Sequence, residues 1–301
     1  MNHLVNTDIF FDPDVLYFLK SIRESSGENY WEVIQDEESG LCFLYDQRRG
    51  LYTNYYNSHL VEMSEYEKIK DLKERIISLN PAAQVQFRVS SNILEEEIDK
   101  ELKDSRRELD WSKEEDPVNV IVGLENFSLK SIKSSNHRKN IKKAQKLGVK
   151  SKCYYREQIP DHILKEFYDC CVTSRKNIGK AFTHNLSSFL IRAQLSFMGK
   201  AILCRTEYEG KVSYVYTLVS ENNALYYDSG YNKKEDIFTG HFAQYKIMQK
   251  IKSLGGKFYS MGILPDKKKY EIETLGSGKT TGMEYYKYGF SKHSIKEYIV
   301  R

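Results

Sequence analysis

The sequence predicts an α+β protein of two successive domains, each built on a mixed, mostly antiparallel sheet flanked by helices. Its 301 residues exceed a typical domain of about 150 residues, so two domains are expected. Hydrophobic residues make up 40% of the chain and charged residues 29%, which is typical of a globular protein with folded cores. The order of helix, strand meander, helix and strand occurs in both halves. We therefore predict one domain over residues 1–117 and a second over residues 118–301.

The first domain is predicted to begin with an amphipathic helix. Apolar residues recur at helical spacing over 15–22, and this helix is expected to end near Gly27. Aromatic and β-branched runs then predict strands, with a second helix between the last two of them. The strands are expected at 30–34, 41–45, 51–56 and 85–89, and the helix near 69–79.

The second domain is predicted from the same kinds of pattern. Two turn sequences, Glu209-Gly210 and Glu221-Asn222-Asn223, separate three strand-like runs, which are therefore expected to be antiparallel neighbours. The predicted strands lie at 118–122, 201–208, 211–220, 224–229 and 257–261. The predicted apolar helices lie near 163–172, 187–197 and 240–254.

Residues 126–152 contain nine basic residues and no acidic residue, the strongest local charge asymmetry in the sequence. A helix here is expected to be capped by Ser134 or Ser135 and to end at Gly148. At about 100° per residue, its basic side chains share one arc, opposite the apolar ones.

The basic arc of this helix has three interpretations. It is ordinary hydrated surface, it contacts a phosphorylated acceptor or a lipid-linked sugar, or it docks the backbone of tRNA. Arg138 and Lys142 are the candidate acceptor-binding residues.

The link between the predicted strand at 224–229 and the helix at 240–254 is a candidate anion site. It carries Lys233 and Lys234, and Thr239 or Gly240 is expected to cap the helix. The N–H groups and the positive dipole end of a helix start suit a phosphate. An ordinary loop with two hydrated lysines is the alternative.

Four runs of residues together carry a resemblance to a known family. They are His137-Arg-Lys-Asn-Ile-Lys-Lys-Ala-Gln-Lys-Leu-Gly-Val149, Ala224-Leu-Tyr-Tyr-Asp-Ser-Gly-Tyr231, Leu254-Gly-Gly-Lys-Phe-Tyr-Ser-Met-Gly-Ile263 and Gly282-Met-Glu-Tyr-Tyr-Lys-Tyr-Gly-Phe290. In this order they resemble segments of Fem-type and related GNAT acyltransferases. The resemblance covers the second half well, and the first half only through its repeated order of elements.

The resemblance implies two tandem GNAT-like domains, with the donor in the second and the acceptor in the cleft between them. The family's chemistry is transfer of an acyl or aminoacyl group to an amine, from coenzyme A in some branches and from aminoacyl-tRNA in others. The attacking amine must lose a proton, and the carbonyl needs donors for its developing negative charge.

Candidate catalytic residues follow from these demands and from the resemblance. Asp228 is a candidate to accept the amine proton, with a turn-forming or ladder-ending aspartate as the alternative. Tyr286 or Tyr288 is a candidate to protonate the leaving group, with core packing as the alternative. Lys287 resembles a family lysine near the reacting centre, where a cation stabilises negative charge. The candidate donor-binding residues are Tyr227, Ser229, Lys233, Lys234, Thr239, Gly240 and His241.

The sequence departs from the family pattern at two points. Ser260 stands where many relatives carry an aspartate, so no carboxylate role carries over to it. The stretch Thr239-Gly240-His241 keeps one glycine, where ordinary coenzyme A-binding members have Gly-x-Gly. These departures motivate a non-catalytic, ligand-binding GNAT-like protein as one alternative function.

We predict an N-acyltransferase that moves an acyl group from acyl-coenzyme A to an amino group of a sugar or cell-envelope precursor, either a small molecule or lipid-linked. The second enzymatic alternative is a Fem-like aminoacyltransferase with aminoacyl-tRNA as donor and tRNA as partner. The net charge of +4 favours the thioester donor, because RNA-binding proteins usually carry more basic surface.

The cysteines and histidines indicate neither disulfides nor a metal site. The five cysteines form no Cys-x-x-Cys pair, and the seven histidines lack metal-ligand spacing. There is no secretory signal and no apolar run of about 18 residues. We therefore expect reduced thiols, no metal, no transmembrane segment and a cytoplasmic location. The sequence leaves the acyl chain, the acceptor and the oligomeric state open.

Overall fold

The computed structural model describes residues 11–25, 27–54, 59–60, 63–90, 118–179, 181–220, 223–232, 237–264, 282–291 and 293–300. The helices are α1 (Pro13–Ser25), α2 (Met63–Leu79), α3 (Ser135–Lys146), α4 (Asp161–Asn177), α5 (Ser187–Met198), α6 (Ile237–Ser253) and α7 (Gly282–Phe290). The strands are β1 (Trp31–Gln35), β2 (Cys42–Asp46), β3 (Leu51–Thr53), β4 (His59–Leu60), β5 (Gln84–Ser90), β6 (Val118–Gly123), β7 (Lys150–Tyr154), β8 (Ala201–Tyr208), β9 (Lys211–Val219), β10 (Asn223–Tyr231), β11 (Phe258–Leu264) and β12 (His293–Val300).

The described strands lie in the order β1-β2-β3-β5-β12-β6-β11-β10-β9-β8-β7, with β4 beside β5. This order contains two mixed sheets, β1-β2-β3-β5 from the first half and β6-β11-β10-β9-β8-β7 from the second. Strand β12 joins them, because it pairs antiparallel with both β5 and β6. Among the described pairs, β3–β5, β4–β5 and β10–β11 are parallel and the rest are antiparallel. The predicted α+β class, with two mixed and mostly antiparallel sheets, is confirmed.

Alternating side chains of the second sheet feed two cores, one on each face. Ile202 and Cys204 of β8 belong to the core that contains side chains of α3 and α6. Ala201 and Leu203 of the same strand belong to the core that contains side chains of α1, α4 and α5. Helices therefore cover both faces of this sheet, which removes its apolar side chains from water.

The core on the α4–α5 face also contains side chains from the first half of the chain. Phe18 of α1 and Trp31 of β1 belong to the same cluster as Phe167 of α4 and Phe189 of α5. A separate core lies between α2 and the strands β2 and β5. The domain boundary after residue 117 stays a prediction, and α1 packs across it.

Two helix starts test the predictions from local sequence. Ser134 caps α3 as expected, because its hydroxyl accepts the N–H of His137. Helix α6 begins at Ile237, so the prediction that Thr239 or Gly240 caps it is wrong. The side chain of Phe238, in the first turn of α6, is buried in the core that also contains side chains of α3, and this explains the earlier start.

Candidate active site at the parting of two strands

Strands β10 and β11 lie side by side for only part of their length. They are parallel, and their pairing at three positions ends at Leu225 opposite Ser260. β10 continues to Tyr231 paired with β9, and β11 continues to Leu264 paired with β6. The two strands therefore diverge, and an opening lies between their carboxyl-terminal ends.

A β-bulge in β10 marks the start of this divergence. Tyr226 lies opposite Thr217 of β9 and Asp228 lies opposite Tyr216, which leaves Tyr227 as the extra residue. A bulge bends its strand and increases the local twist. The bulge therefore coincides with the end of the pairing between β10 and β11.

Helix α7 brings a cation to the diverging part of β11. A Cβ atom on Gly262, two residues beyond the last position at which β11 pairs with β10, would come within 3.2 Å of the Nζ atom of Lys287. Gly262 has a φ of 84°, a backbone conformation that favours glycine. Lys287 is buried, so its ammonium lies inside the protein beside the opening.

Tyr286 connects α7 to the first turn of α6. Its hydroxyl donates a hydrogen bond to the carbonyl oxygen of Gly240 at 3.2 Å. Burial, together with the neighbouring Tyr226 and Tyr259, raises the pKa of Tyr286 well above its usual value. The phenol is therefore protonated at neutral pH and acts as a donor, while its role as a catalytic acid stays a prediction.

Two histidines that sequence patterns did not bring together lie behind Tyr286. The ring centroids of His137 on α3 and His241 on α6 are 4.2 Å apart. His137 Nε2 donates to the carbonyl oxygen of Tyr286 at 2.9 Å. Burial lowers the pKa of His137 although this hydrogen bond raises it, so the ring is neutral at pH 7. A Cβ atom on Gly289 would lie 2.3 Å from His137 Nε2, so glycine is required for this close contact.

Asp228 lies on the face of the sheet that α5 covers, where it forms a buried ion pair. Its Oδ2 atom accepts from Arg192 Nη1 at 2.9 Å, and both side chains are at most 5% exposed. Its Oδ1 atom accepts the N–H of Ser229. These contacts fix the bulge, and the role of Asp228 as a base stays a prediction.

A third residue completes the ion-paired cluster. Arg192 Nη2 donates to His184 Nδ1 at 2.8 Å, which requires a neutral imidazole. Burial and the nearby Arg192 lower the pKa of His184 to about 4. The ring is therefore uncharged at neutral pH.

Three members of the predicted donor-binding set, Lys233, Lys234 and Thr239, follow β10 in the sequence. Lys233 and Lys234 lie outside the described residues. The Thr239 hydroxyl is 2.7 Å from Ser213 Oγ, and its carbonyl accepts from Thr206. Thr239 therefore ties α6 to the sheet.

Two further members of that set, Tyr227 and Ser229, lie on β10 itself. The Tyr227 ring packs against Phe18 of α1 at 5.4 Å, on the face that α5 covers. Ser229 Oγ lies 2.5 Å from the Tyr226 hydroxyl on the diverging segment. Donor binding by these residues stays a prediction.

The two predicted acceptor-binding residues on α3 differ in environment. Arg138 donates to the carbonyl oxygens of Ile132 and Lys133, which fixes the loop before the helix. Lys142 is exposed, as are Lys139 and the other lysines of its arc. Acceptor binding by either residue stays a prediction.

Two features are absent from the described ranges. Within them no helix combines the length and apolar character needed to cross a bilayer. Nor do three side chains of the metal-ligand types lie together there. Each of the five cysteines is a free thiol. The absence of a metal and the cytoplasmic location stay predictions.

No protein-family model and no curated protein matches this sequence. Among solved structures, one described as FemX superposes with a TM-score of 0.66 at 12% identity, covering 98% of this chain and 92% of that one. L-PGS from Bacillus licheniformis has a TM-score of 0.57 at 14% identity, covering 98% and 92%. The carboxyl-terminal domain of a putative lysylphosphatidylglycerol synthetase from Agrobacterium fabrum has a TM-score of 0.56 at 13% identity, covering 95% and 90%.

These likenesses extend over both halves of the chain. The protein therefore has the Fem-type fold, in which GNAT-like sheets occur in tandem, and the resemblance found in the sequence is confirmed at the level of the fold. At such low identities the likeness shows the fold and leaves the reaction to the chemistry of the site.

Proposed function

We propose that this protein is an acyltransferase that moves an acyl or aminoacyl group to an amine at the opening between β10 and β11. The observation that carries the proposal is the end of strand pairing at Leu225 and Ser260, with both strands continuing beyond it. Strand edges bind extended ligands through main-chain hydrogen bonds. An extended arm of an activated donor therefore suits this gap.

Three groups beside the opening suit acyl transfer. The Lys287 ammonium would stabilise negative charge on the carbonyl oxygen or on a donor phosphate. The protonated Tyr286 hydroxyl is a second donor, and the first turn of α6 supplies the positive end of a helix dipole. Attack by the neutral amine forms the new C–N bond and breaks the C–S or C–O bond of the donor, whose sulfur leaves as a thiolate or whose ribose oxygen takes a proton from water. Because Arg192 holds Asp228, we propose that a water molecule carries the amine proton to that carboxylate.

The distribution of charge favours a polyanionic donor. Residues 126–152 and 237–257 contain no acidic residue, and the helices within them, α3 and α6, pack against each other. Helices α3 and α6 therefore form one strongly basic part of a protein whose net charge is only +4. This weakens the argument for a thioester donor. We propose aminoacyl-tRNA as the donor, with acyl-coenzyme A as the competing proposal.

The description of one structural neighbour is consistent with an aminoacyl group as the group transferred. Lysylphosphatidylglycerol, named for the Agrobacterium fabrum protein, is an aminoacyl group joined to a lipid. For this chain we propose an amine on a sugar or cell-envelope precursor as the acceptor.

A transfer assay tests the proposal. Purified protein is incubated with tRNA charged with labelled amino acids, or with labelled acyl-coenzyme A, and with amino sugars as acceptors. We expect label to pass from aminoacyl-tRNA to the amine. Lys287→Ala is expected to lower kcat by about 100-fold, as for loss of one donor to a developing oxyanion. Lys68→Ala, an exposed change on α2, is the matched control and should leave the rate unchanged.

The other outcomes each contradict part of the proposal. Transfer from acyl-coenzyme A alone would restore the thioester donor and exclude the tRNA donor. Saturable binding of donors with no transfer from any of them would identify a non-catalytic binding protein and contradict the enzymatic function.

A further inference from the structure

Two of the cysteines lie directly opposite each other on neighbouring strands. Cys153 of β7 and Cys204 of β8 are register partners in an antiparallel pair. Directly opposed residues of such a pair point to the same face of the sheet, with Cβ atoms about 4.5–5.5 Å apart. Both thiols are free. The strand register therefore brings together two reduced sulfur atoms from distant parts of the sequence.

The side chains of this pair meet on the face of the sheet that α6 covers. Cys204 belongs to the core that contains side chains of α3 and α6, and Cys153 packs against that core. A hydrogen bond joins the two thiols. A disulfide needs Cα atoms about 4.4–6.8 Å apart, and opposed residues of antiparallel strands lie about 4.5–5.5 Å apart. The backbone therefore already has the spacing that a disulfide requires.

The two thiols differ in their access to solvent. Cys204 is 0% exposed, whereas Cys153 is partly exposed. Strand β7 is the last strand at one edge of the described order, and β8 is its described neighbour. A dissolved oxidant therefore reaches Cys153 first.

The buried thiol is suited to act second. Its hydrogen bond to Cys153 and its burial raise the pKa of Cys204 well above the usual value, although the positive charge of Lys246 on α6 lowers it. Cys204 therefore keeps its proton while Cys153 reacts. An accessible cysteine beside a second cysteine that resolves its oxidised form is typical of redox-sensitive sites.

We propose that Cys153 and Cys204 form a thiol-oxidation site, in which a small disulfide such as oxidised glutathione converts the pair to a cross-strand disulfide. The Cys153 thiolate first attacks one sulfur of the small disulfide, which forms a mixed disulfide and releases one small thiolate. Cys204 then loses its proton to water, and its sulfur attacks the sulfur of Cys153, which releases the second small thiolate. The protein pair loses two electrons, the small disulfide gains them, and the two protons pass through water to the two small thiols.

The bond would fasten the edge strand β7 to the interior of the second sheet. A disulfide stabilises a protein mainly by restricting its unfolded chain. The oxidised protein should therefore resist unfolding better than the reduced protein. Strands β8 and β9 lie between β7 and β10, so the site is separate from the opening and does not rest on the proposed function.

Thiol mapping of the full chain tests the proposal. The reduced protein is incubated with an excess of oxidised glutathione, its remaining thiols are alkylated under denaturing conditions, and proteolytic fragments are identified by mass spectrometry. We expect a fragment in which Cys153 is joined to Cys204 and which dithiothreitol separates. The other three cysteines, Cys42, Cys170 and Cys171, should be alkylated.

Two variants separate the two steps. Cys204→Ser should stop at the mixed disulfide, with one glutathione on Cys153. Cys153→Ser should form neither the mixed disulfide nor the cross-strand bond. The matched control is Cys42→Ser on β2, where Cys42 is 1% exposed, and this variant should still form the bond.

Thermal unfolding provides a second measurement. Oxidation should raise the melting temperature of the unmodified protein by about 4 °C or more. The same treatment should leave the melting temperature of Cys153→Ser unchanged.

Three results would overturn the proposal. One is a protein whose five cysteines are all alkylated after incubation with oxidised glutathione. Another is a disulfide that joins a different pair of cysteines. The third is a bond between Cys153 and Cys204 that lowers the melting temperature, which would show that the folded strands do not fit it.

Discussion

At its amino-terminal end, strand β10 pairs with β9 on one side and with β11 on the other. At its carboxyl-terminal end, β10 pairs only with β9 among the described strands. Contacts with side chains and backbone of other elements hold this end in place of β11. Arg192 of α5 binds Asp228, and Gly230 lies directly against the backbone of α4. Where a sheet opens, side-chain contacts replace main-chain pairing, so single substitutions there should have large effects.

Loss of the buried carboxylate should have the largest effect. Asp228→Ala leaves the guanidinium of Arg192 buried without its anion, and we expect a loss of about 3–5 kcal/mol in the free energy of unfolding. Chemical denaturation measures this loss. Arg192→Met together with Asp228→Leu should recover much of the stability, because both charges are then removed. A loss below about 1 kcal/mol in the single variant would contradict the claim that the Arg192–Asp228 ion pair holds the carboxyl-terminal end of β10.

A methyl group on Gly230 should have the next largest effect. A Cβ atom there would lie 2.6 Å from the backbone nitrogen of Cys171, so β10 and α4 must move apart. We expect Gly230→Ala to cost about 1–3 kcal/mol in the same measurement. Gly123→Ala on β6 is the control, since no heavy atom lies within 4 Å of its Cβ position. Equal stabilities of the two variants would show that the contact with α4 does not constrain β10.

Acid should destabilise the carboxyl-terminal end of β10 through His184, which accepts from Arg192. Its pKa is lowered from 6.5 to about 4 in the folded protein, so the unfolded chain binds a proton in that window and the folded protein does not. The stabilising contribution is complete above pH 6.5 and is lost as the pH falls toward 4. We expect the free energy of unfolding to be about 1–2 kcal/mol lower at pH 5 than at pH 7 from this group. His184→Gln should remove that part of the dependence, and an unchanged pH profile would contradict it.

Local patterns predicted the elements better than the contacts between them. The serine cap of α3 and the meander β8-β9-β10 follow from short sequence signals, and both are present. Strand β12 was not predicted, because its role depends on β5 and β6, which are far from it in the sequence.

The site shows the same limit. Lys287 was a candidate from the resemblance, whereas the contact of His137 with Tyr286 joins residues 149 positions apart. The burial of Asp228 against Arg192 likewise depends on how α5 packs on the sheet. No local spacing rule contains such information.

Hydrogen exchange tests most directly whether the parted end of β10 and β11 binds the donor. Amide exchange is measured with and without a saturating concentration of the donor that supports transfer. We predict new protection at residues 228–231 of β10 and at 261–262 of β11, with little change at the paired residues 223–225. Unchanged exchange at the parted end while the donor is bound, or protection confined to another surface, would contradict the proposed active site.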